Sequence, residues 1–358
     1  MTTYRWFVGI DWATQEHRVV VVDSERRVVL DRAVRHDAVA LERLATDLSD
    51  LAHGVPSDVA VALETPRGAV VDTLLARGFH VFAINPKQVD RFRDRYTVAG
   101  AKDDRRDATV LATCLVTDEA AFRRLEPEHP LVIELRELSR LEEDLQQETS
   151  RLTNRLREQL HRYFPQLLQL VPAADEPWLW ALLERAPTPS AAAQLPRAAI
   201  RTILTRYRIR RVDADAVRAV LRAPALPVAP GTVQAAQRQL TVLLPRLRLV
   251  HQQRAECATL IEGLLEQLAD QQEHRDVPIL RSLPGVGRVV AATMLAEAGR
   301  LLAARDYHGL RTHAGVAPIT KQSGKHRIVQ IRHACNHRMR TAAHHWGQAA
   351  IRHGLISV

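Results

Sequence analysis

The chain has 358 residues, 46% of them hydrophobic, with a net charge of +9 and a pI near 10.0. That length predicts two or three domains with real cores, and that charge a polyanionic partner. Three scattered cysteines (Cys114, Cys257, Cys335) exclude a disulfide framework, no apolar run nears the roughly 18 residues of a membrane span, and the N-terminus lacks a signal-peptide pattern, so a soluble cytoplasmic protein is expected.

The charge is not spread evenly. Residues 275–358 hold 13 Lys and Arg against 3 Asp and Glu, and 8 of the 16 histidines. The remainder holds 37 basic against 38 acidic side chains. The polyanion-binding candidate is therefore the C-terminal part.

In chain order, residues 6–10 form an apolar strand that ends on Asp11, and residues 14–17 make a polar turn. Residues 19–22 return, as in a hairpin. A third strand is expected over 27–31 and a helix over 38–51. Residues 58–63 read as a short buried strand ending at Glu64. Helix 68–77, strand 79–84 and helices 86–96 and 105–117 follow, which together make an α/β layer fold. An acid at the end of a buried strand is costly unless something neutralises it, and a divalent metal is one such partner. Taken alone, Asp11 reads as well as a solvated turn residue.

Beyond residue 131 the pattern changes. Leu135, Leu138, Leu145, Leu152 and Leu156 recur at helical spacing, which predicts a coiled-coil seam or one long amphipathic helix to about residue 170. Residues 172–230 are rich in Pro and Ala and include a basic helical run at 197–211, read as a solvated face or a phosphate contact. A second long helix is expected over 233–271, with Pro245 as a kink. Two long helices around an insert predict an antiparallel pair, an intersubunit coiled coil, or both. Residues 279–295 read as helix, Pro284-Gly285-Val286-Gly287, helix. This is a helix–hairpin–helix pattern whose backbone N–H groups suit a phosphate. A polar basic loop, TKQSGKHR, follows Pro318, and a basic helix is expected from residue 331.

Asp11 and Glu64 are joined by Asp104 and Asp107, three residues apart on one helix face. Asp103, four residues from Asp107, competes for the same role. Acids from two strand ends and one helix can meet at a sheet edge. Four carboxylates there would repel one another without metal ions, and two metals can clamp the attacking and leaving oxygens of a phosphodiester.

The order of elements and acids resembles the RuvC-like branch of the ribonuclease H fold. More narrowly, the chain resembles the DEDD transposases of insertion sequences of the IS-one-ten family, RNA-guided bridge recombinases. The matching stretches are GIDWA at 9–13, LETPRG at 63–68, NPKQV at 85–89 and K-x-D-x-x-D-A at 102–108. LPGVG at 283–287, AGVAP at 314–318 and Ser323-Gly324 match at the other end. The family pattern selects Asp104 over Asp103. In KHRIVQIRHACNHRMR, His333, Cys335 and His337 depart from the small or basic residues of the pattern, and no fourth ligand completes a zinc site with them.

The resemblance implies a RuvC-like DEDD domain (1–125), a coiled-coil and helical insert (126–274), and a mostly helical transposase domain with the helix–hairpin–helix and a serine nucleophile (275–358). It implies Mg²⁺ at Asp11, Glu64, Asp104 and Asp107, and Ser323 as the nucleophile that forms a serine–phosphate intermediate while DNA is cut and rejoined. Gly285, Gly287, Arg288, Lys321, Lys325, Arg327, Arg332 and Arg338 are the expected nucleic-acid contacts. Expected partners are donor and target DNA, a structured non-coding guide RNA, and further copies of the chain, as dimers assembling to a tetramer. The expected location is the bacterial nucleoid. The rival readings are a RuvC-like nuclease that hydrolyses branched DNA and a non-catalytic nucleic-acid-binding scaffold.

Overall fold

The computed structural model describes residues 4–94, 103–229, 231–271, 275–324 and 326–352. It divides into two compact units, 1–128 and 129–358.

The first unit is built on β1 (Trp6–Asp11), β2 (Glu16–Asp23), β3 (Val28–Arg35), helix α1 (Ala38–Leu51), β4 (Val59–Leu63), α2 (Ala69–Ala76) and β5 (His80–Ala83). Helices α3 (Pro86–Arg93) and α4 (Asp104–Asp118) and the two-residue β6 (Arg123–Arg124) complete it. One mixed sheet runs in the order β3-β2-β1-β4-β5-β6. Strand β2 is antiparallel to both β1 and β3, β1, β4 and β5 are parallel, and β6 returns antiparallel. The central strands are apolar at nearly every position because both faces are covered. Val8, Ile10, Val61 and Leu63 pack with Leu44 and Leu48 of α1 and Val71 and Leu74 of α2. Phe7, Ala60, Ala62 and Phe82 pack with Val89 of α3 and Ala108, Leu111 and Leu115 of α4. Alternation along each strand sorts the two sets.

The helix expected over 86–96 ends at Arg93, and residues 95–96 lie outside the described residues. Asn85 caps its start, with Gln88 closing the capping box.

The second unit opens with the 34-residue α5 (Pro130–Tyr163). Four short helices follow: α6 (Pro177–Arg185), α7 (Pro189–Ala193), α8 (Arg197–Arg206) and α9 (Ala214–Leu221). Next come α10 (Thr232–Asp270), α11 (Asp276–Ser282), α12 (Arg288–Ala303), α13 (Tyr307–His313), the hairpin β7 (Ile319–Ser323) and β8 (His326–Gln330), and α14 (His337–Arg352). Helix α10 stays helical through Pro245 for 39 residues.

The long helices α5 and α10 lie antiparallel within one chain. The Cys257 thiol donates to the Leu138 carbonyl at 3.4 Å, Arg254 pairs with Glu142 at 2.9 Å, and Arg246 meets Glu148 at 3.6 Å. Partner numbers rise on one helix as they fall on the other. A single apolar core joins them to the insert and to the C-terminal helices, from Leu135 through Trp180 and Leu265 to Ala342.

Three segments differ from expectation. TKQSGKHR is not a loop but the end of an antiparallel hairpin, paired from Ile319↔Gln330 to Ser323↔His326. Ile328 and Val329 favour a strand, and Gly324, at φ +56, takes the left-handed conformation that suits the end of β7. The helix expected from residue 331 starts only at His337. The Asn336 side chain accepts from the Met339 amide at 3.1 Å and so caps it. The basic run at 197–211 likewise ends as a helix at Arg206.

Candidate active site

The geometry begins with the pairing of β1 and β4. Their last parallel pair is Ile10↔Leu63, so Asp11 closes β1 and Glu64 directly follows the end of the neighbouring β4. Neighbouring strands run about 4.8 Å apart. By alternation Asp11 continues the row of Phe7 and Gly9, and Glu64 the row of Ala60 and Ala62. Both rows face α4.

Gly9 decides how closely α4 approaches. A Cβ there would collide with the Ala108 carbonyl oxygen and lie 2.6 Å from the Ala112 amide nitrogen. A glycine inside a strand often marks such a close approach of backbones. The contact sets Asp107, the residue before Ala108, over the same edge of the sheet. Asp107 is only 2% exposed.

Arg93 enters this cluster from α3. Its Nε donates to Asp107 Oδ1 at 2.7 Å, and Nη1 donates to Asp90 at 2.7 Å. Burial works against the Arg93 charge, but Asp107, Asp90 and Glu64 outweigh it and hold the guanidinium more firmly protonated. Nothing in the sequence pattern pointed to Arg93.

Asp104, at the first position of α4, is exposed. Asp103 is the N-cap, and its side chain accepts from the Arg105 amide at 3.2 Å. Lys102 of the same motif lies outside the described residues. The structure thus places Asp11 and Glu64 at the ends of neighbouring strands and Asp107 on the helix packed against β1, with Arg93 bonded to Asp107 and Asp104 one turn earlier on α4.

The donor set suits a hard divalent cation, which takes carboxylate oxygens. Among the described residues, no three carboxylate, imidazole or thiol groups stand close enough to hold one ion as they are. Asp107 is committed to Arg93, which neutralises a carboxylate that burial would otherwise penalise. Metal capture here requires side chains to exchange partners.

The turn after Asp11 is fixed by a buried histidine. His17 Nδ1 accepts from the Ala13 amide at 3.3 Å, which leaves Nε2–H to donate to His36 Nδ1 at 2.9 Å. Burial, with His36 adding to it, pushes the His17 imidazole below its ordinary value and keeps it neutral.

In the second unit, Ser323 ends β7 at the exposed tip of the hairpin. Lys321 and Arg327 are exposed beside it, and Lys325 lies outside the described residues. Both ends of the hairpin are tied to Glu297. Its Oε2 accepts from Asn336 Nδ2 at 2.9 Å and its Oε1 from Arg140 at 3.1 Å, with Arg338 Nε at 3.3 Å. Asn336 N donates to the His313 carbonyl at 2.8 Å, and the His313 ring meets the Glu297 carbonyl at 3.0 Å. This knot sits where α12 leaves helical geometry, at Ala298.

The expected nucleic-acid contacts fall into two groups. Gly287, Arg288, Lys321 and Arg327 are exposed. Gly285, at φ +79, faces Ala349 and Ala350 of α14, and the Trp346 indole donates to the Pro284 carbonyl at 2.9 Å. Arg338 turns inward to Glu143 at 2.6 Å, and Arg332 Nε donates to the Ala317 carbonyl at 3.3 Å. Cys335 packs its side chain against Gly315.

Comparison with known proteins adds the following. A family model described as a transposase, of the DEDD type of IS110, matches residues 8–165. A second, described as the transposase of the IS116/IS110/IS902 family, matches residues 277–357. The chain is 51% identical over 209 residues to a Sinorhizobium fredii protein described as the transposase y4uE, a match spanning 58% of each chain. It is 32% identical over 353 residues to a Streptomyces coelicolor protein described as the mini-circle transposase for IS117, covering 96% of this chain and 84% of that one. It is 28% identical over 336 residues to an uncharacterised protein of insertion element IS116 of Streptomyces clavuligerus, covering 90% and 78%.

Proposed function

This chain belongs to the IS110 family of transposases, and we propose that it cuts and rejoins the DNA of an insertion sequence through a serine–phosphate intermediate, guided by a structured non-coding RNA. The observation that supports the reading is the set of acids in the first unit: Asp11 ending β1, Glu64 directly following the parallel β4, and Asp107 next to Ala108, whose backbone packs on Gly9 of β1. The antiparallel β1–β2–β3 followed by parallel β4 and β5 supports a RuvC-like form of the ribonuclease H fold.

Asp11, Glu64, Asp104 and Asp107 would hold divalent cations of the Mg²⁺ class, which would supply neutralisation of charge on a phosphodiester and its leaving oxygen. Arg93 balances the charge of the buried Asp107. Ser323 supplies the nucleophile. Its Oγ–P bond forms as a P–O bond to the deoxyribose breaks, the serine proton is lost, and the departing oxygen gains one. Rejoining is the reverse. Lys321, Lys325 and Arg327 stabilise the charge that develops on phosphorus. In functional terms the chain serves as a metal-binding part (1–125), a helical spacer and assembly part (126–274) and a strand-transfer part (275–358), working in the bacterial cytoplasm as an assembly of dimers. Among the described residues, no helix is long and apolar enough to cross a membrane.

The test is a trapped reaction of purified protein, locus RNA, element DNA and Mg²⁺ on a denaturing gel. A covalent adduct that peptide mapping places on Ser323 is expected. Ser323→Ala should abolish it while keeping DNA and RNA binding, and Asp11→Asn or Glu64→Gln should do the same. A Ser323→Ala protein that still cuts with Mg²⁺ makes water the nucleophile and the chain a hydrolytic nuclease. Efficient site-specific recombination without RNA removes the guided reading.

A further inference from the structure

The reading above leaves the insert between the long helices without a chemical role. The basic run 197–211 has six arginines and no acid. Two of these are consumed locally: Arg197 pairs with Asp215, and Arg211 with Glu176. Arg206 has no acidic partner among the described residues, and neither has Arg185 of α6.

Arg185 and Arg206 flank a groove of about 570 Å³ between α6, α8 and α10, with Ile203 in its floor. Tyr207 lines it and is held rigidly. Its hydroxyl accepts from Arg248 Nη1 at 3.1 Å, and the Arg206 guanidinium lies 5.7 Å from its ring centroid. The one carboxylate in the groove, Glu184, is cancelled by Arg248, whose Nη2 donates to Oε2 at 2.7 Å. The groove also meets a second hollow, of about 340 Å³, through Tyr207 and Arg248.

We propose that this groove binds a single nucleic-acid strand, with Arg185 and Arg206 on its phosphates and a base against Tyr207. Cations without an acidic partner, beside a preorganised aromatic ring, form the usual single-strand platform. A duplex is excluded because its stacked bases cannot reach the ring. The proposal shares with the reading above the premise of a nucleic-acid partner and is independent of the serine chemistry. The strand can be ribose- or deoxyribose-based, and the experiment separates the two sources.

Full-length protein is titrated by fluorescence anisotropy with a labelled 12-nucleotide single strand, in ribo and deoxyribo form, and with the 12-base-pair duplex, across a salt series. Losing two phosphate contacts should flatten the log–log salt slope by about 1.4, which is roughly 25-fold in affinity at 0.1 M salt. Arg185→Gln/Arg206→Gln should show this. Tyr207→Leu should weaken binding about tenfold without changing the slope, while Tyr207→Phe keeps wild-type affinity. Circular dichroism melting confirms that each variant is folded. A ribo preference assigns the groove to an RNA, and a deoxyribo preference to an unpaired DNA strand. The proposal is overturned if the double variant keeps wild-type affinity and slope, if Tyr207→Phe loses as much as Tyr207→Leu, or if only the duplex responds. Ser323→Ala must leave this binding intact. An adduct that persists with groove variants of unchanged affinity overturns the groove alone, and groove binding without any adduct overturns the serine reading alone.

Discussion

Removing the Glu297 carboxylate tests how the serine hairpin is held. Its side chain is 9% exposed, and the Arg140 and Arg338 side chains 26% and 19%. Breaking a buried ion pair by deleting one partner costs about 3–5 kcal/mol. Arg338 keeps Glu143 at 2.6 Å and Arg140 keeps Glu137 at 3.4 Å, so Glu297→Ala belongs at the lower end, about 3 kcal/mol. Glu297→Gln retains the acceptor for Asn336 but not the charge, and should cost about half as much, as for the loss of one charge-assisted bond. The assay is hydrogen exchange at the Asn336 and Arg340 amides, whose bonds to His313 and Asn336 anchor the exit of the hairpin. A loss of 3 kcal/mol in local stability speeds their exchange by roughly 100-fold. The acid dependence has a definite sign. Burial pushes the Glu297 carboxyl up, but hydrogen bonds from Asn336 and Arg140 and the charges of Arg140 and Arg338 outweigh it and hold it below the ordinary 4.5. Its stabilisation is therefore complete above that value and is lost as pH falls through the lower, folded one. Glu297→Gln should flatten stability against pH in that acid range. Exchange at Asn336 and Arg340 within a factor of two of wild type in Glu297→Ala would refute the anchoring argument.

Two further outcomes concern the first unit. Gly9→Ala drives a methyl group into the α4 backbone and should cost about 3 kcal/mol or more, read as a fall in melting temperature, because a backbone cannot rotate away as a side chain can; an unchanged melting point would show that α4 is not clamped there. Asp103→Ala should cost about 1 kcal/mol through the lost helix cap, and Asp103→Asn little, both with recombination retained; Asp104→Asn should abolish recombination, and the opposite pattern would reassign the motif.

Much of the first unit was legible in the sequence because its strands are covered on both faces. Such strands read as unbroken apolar runs, and 19–22 and 58–63 need no distant information to be recognised. Asp11 and Glu64 stood out as the acids closing the runs 6–10 and 58–63. The alternation of leucines over 135–156 likewise declared a long helix. What the pattern could not carry was pairing between distant segments. Arg93 is an ordinary basic residue on its own helix, and only the packing of α3 beside α4 brings it to Asp107. TKQSGKHR looked like a loop because both of its faces are solvated, so no apolar period marks the strands. The hairpin exists through its own cross-strand pairing. The choice between an intersubunit and an intrachain helix pair was open, because a leucine seam does not say which helix it faces; Cys257, Arg254 and Arg246 settle an antiparallel partner for α5 in the same chain. Nothing in the sequence marked Glu297, one of three acids in the basic C-terminal part. Packing of α5, α12 and the segment before α14 takes it out of water, and a carboxylate in that position must collect cations. Local propensity and periodicity are properties of neighbouring residues and survive in one dimension. Ion pairs, clamped glycines and grooves arise only when the chain folds, since each depends on groups tens to hundreds of residues apart.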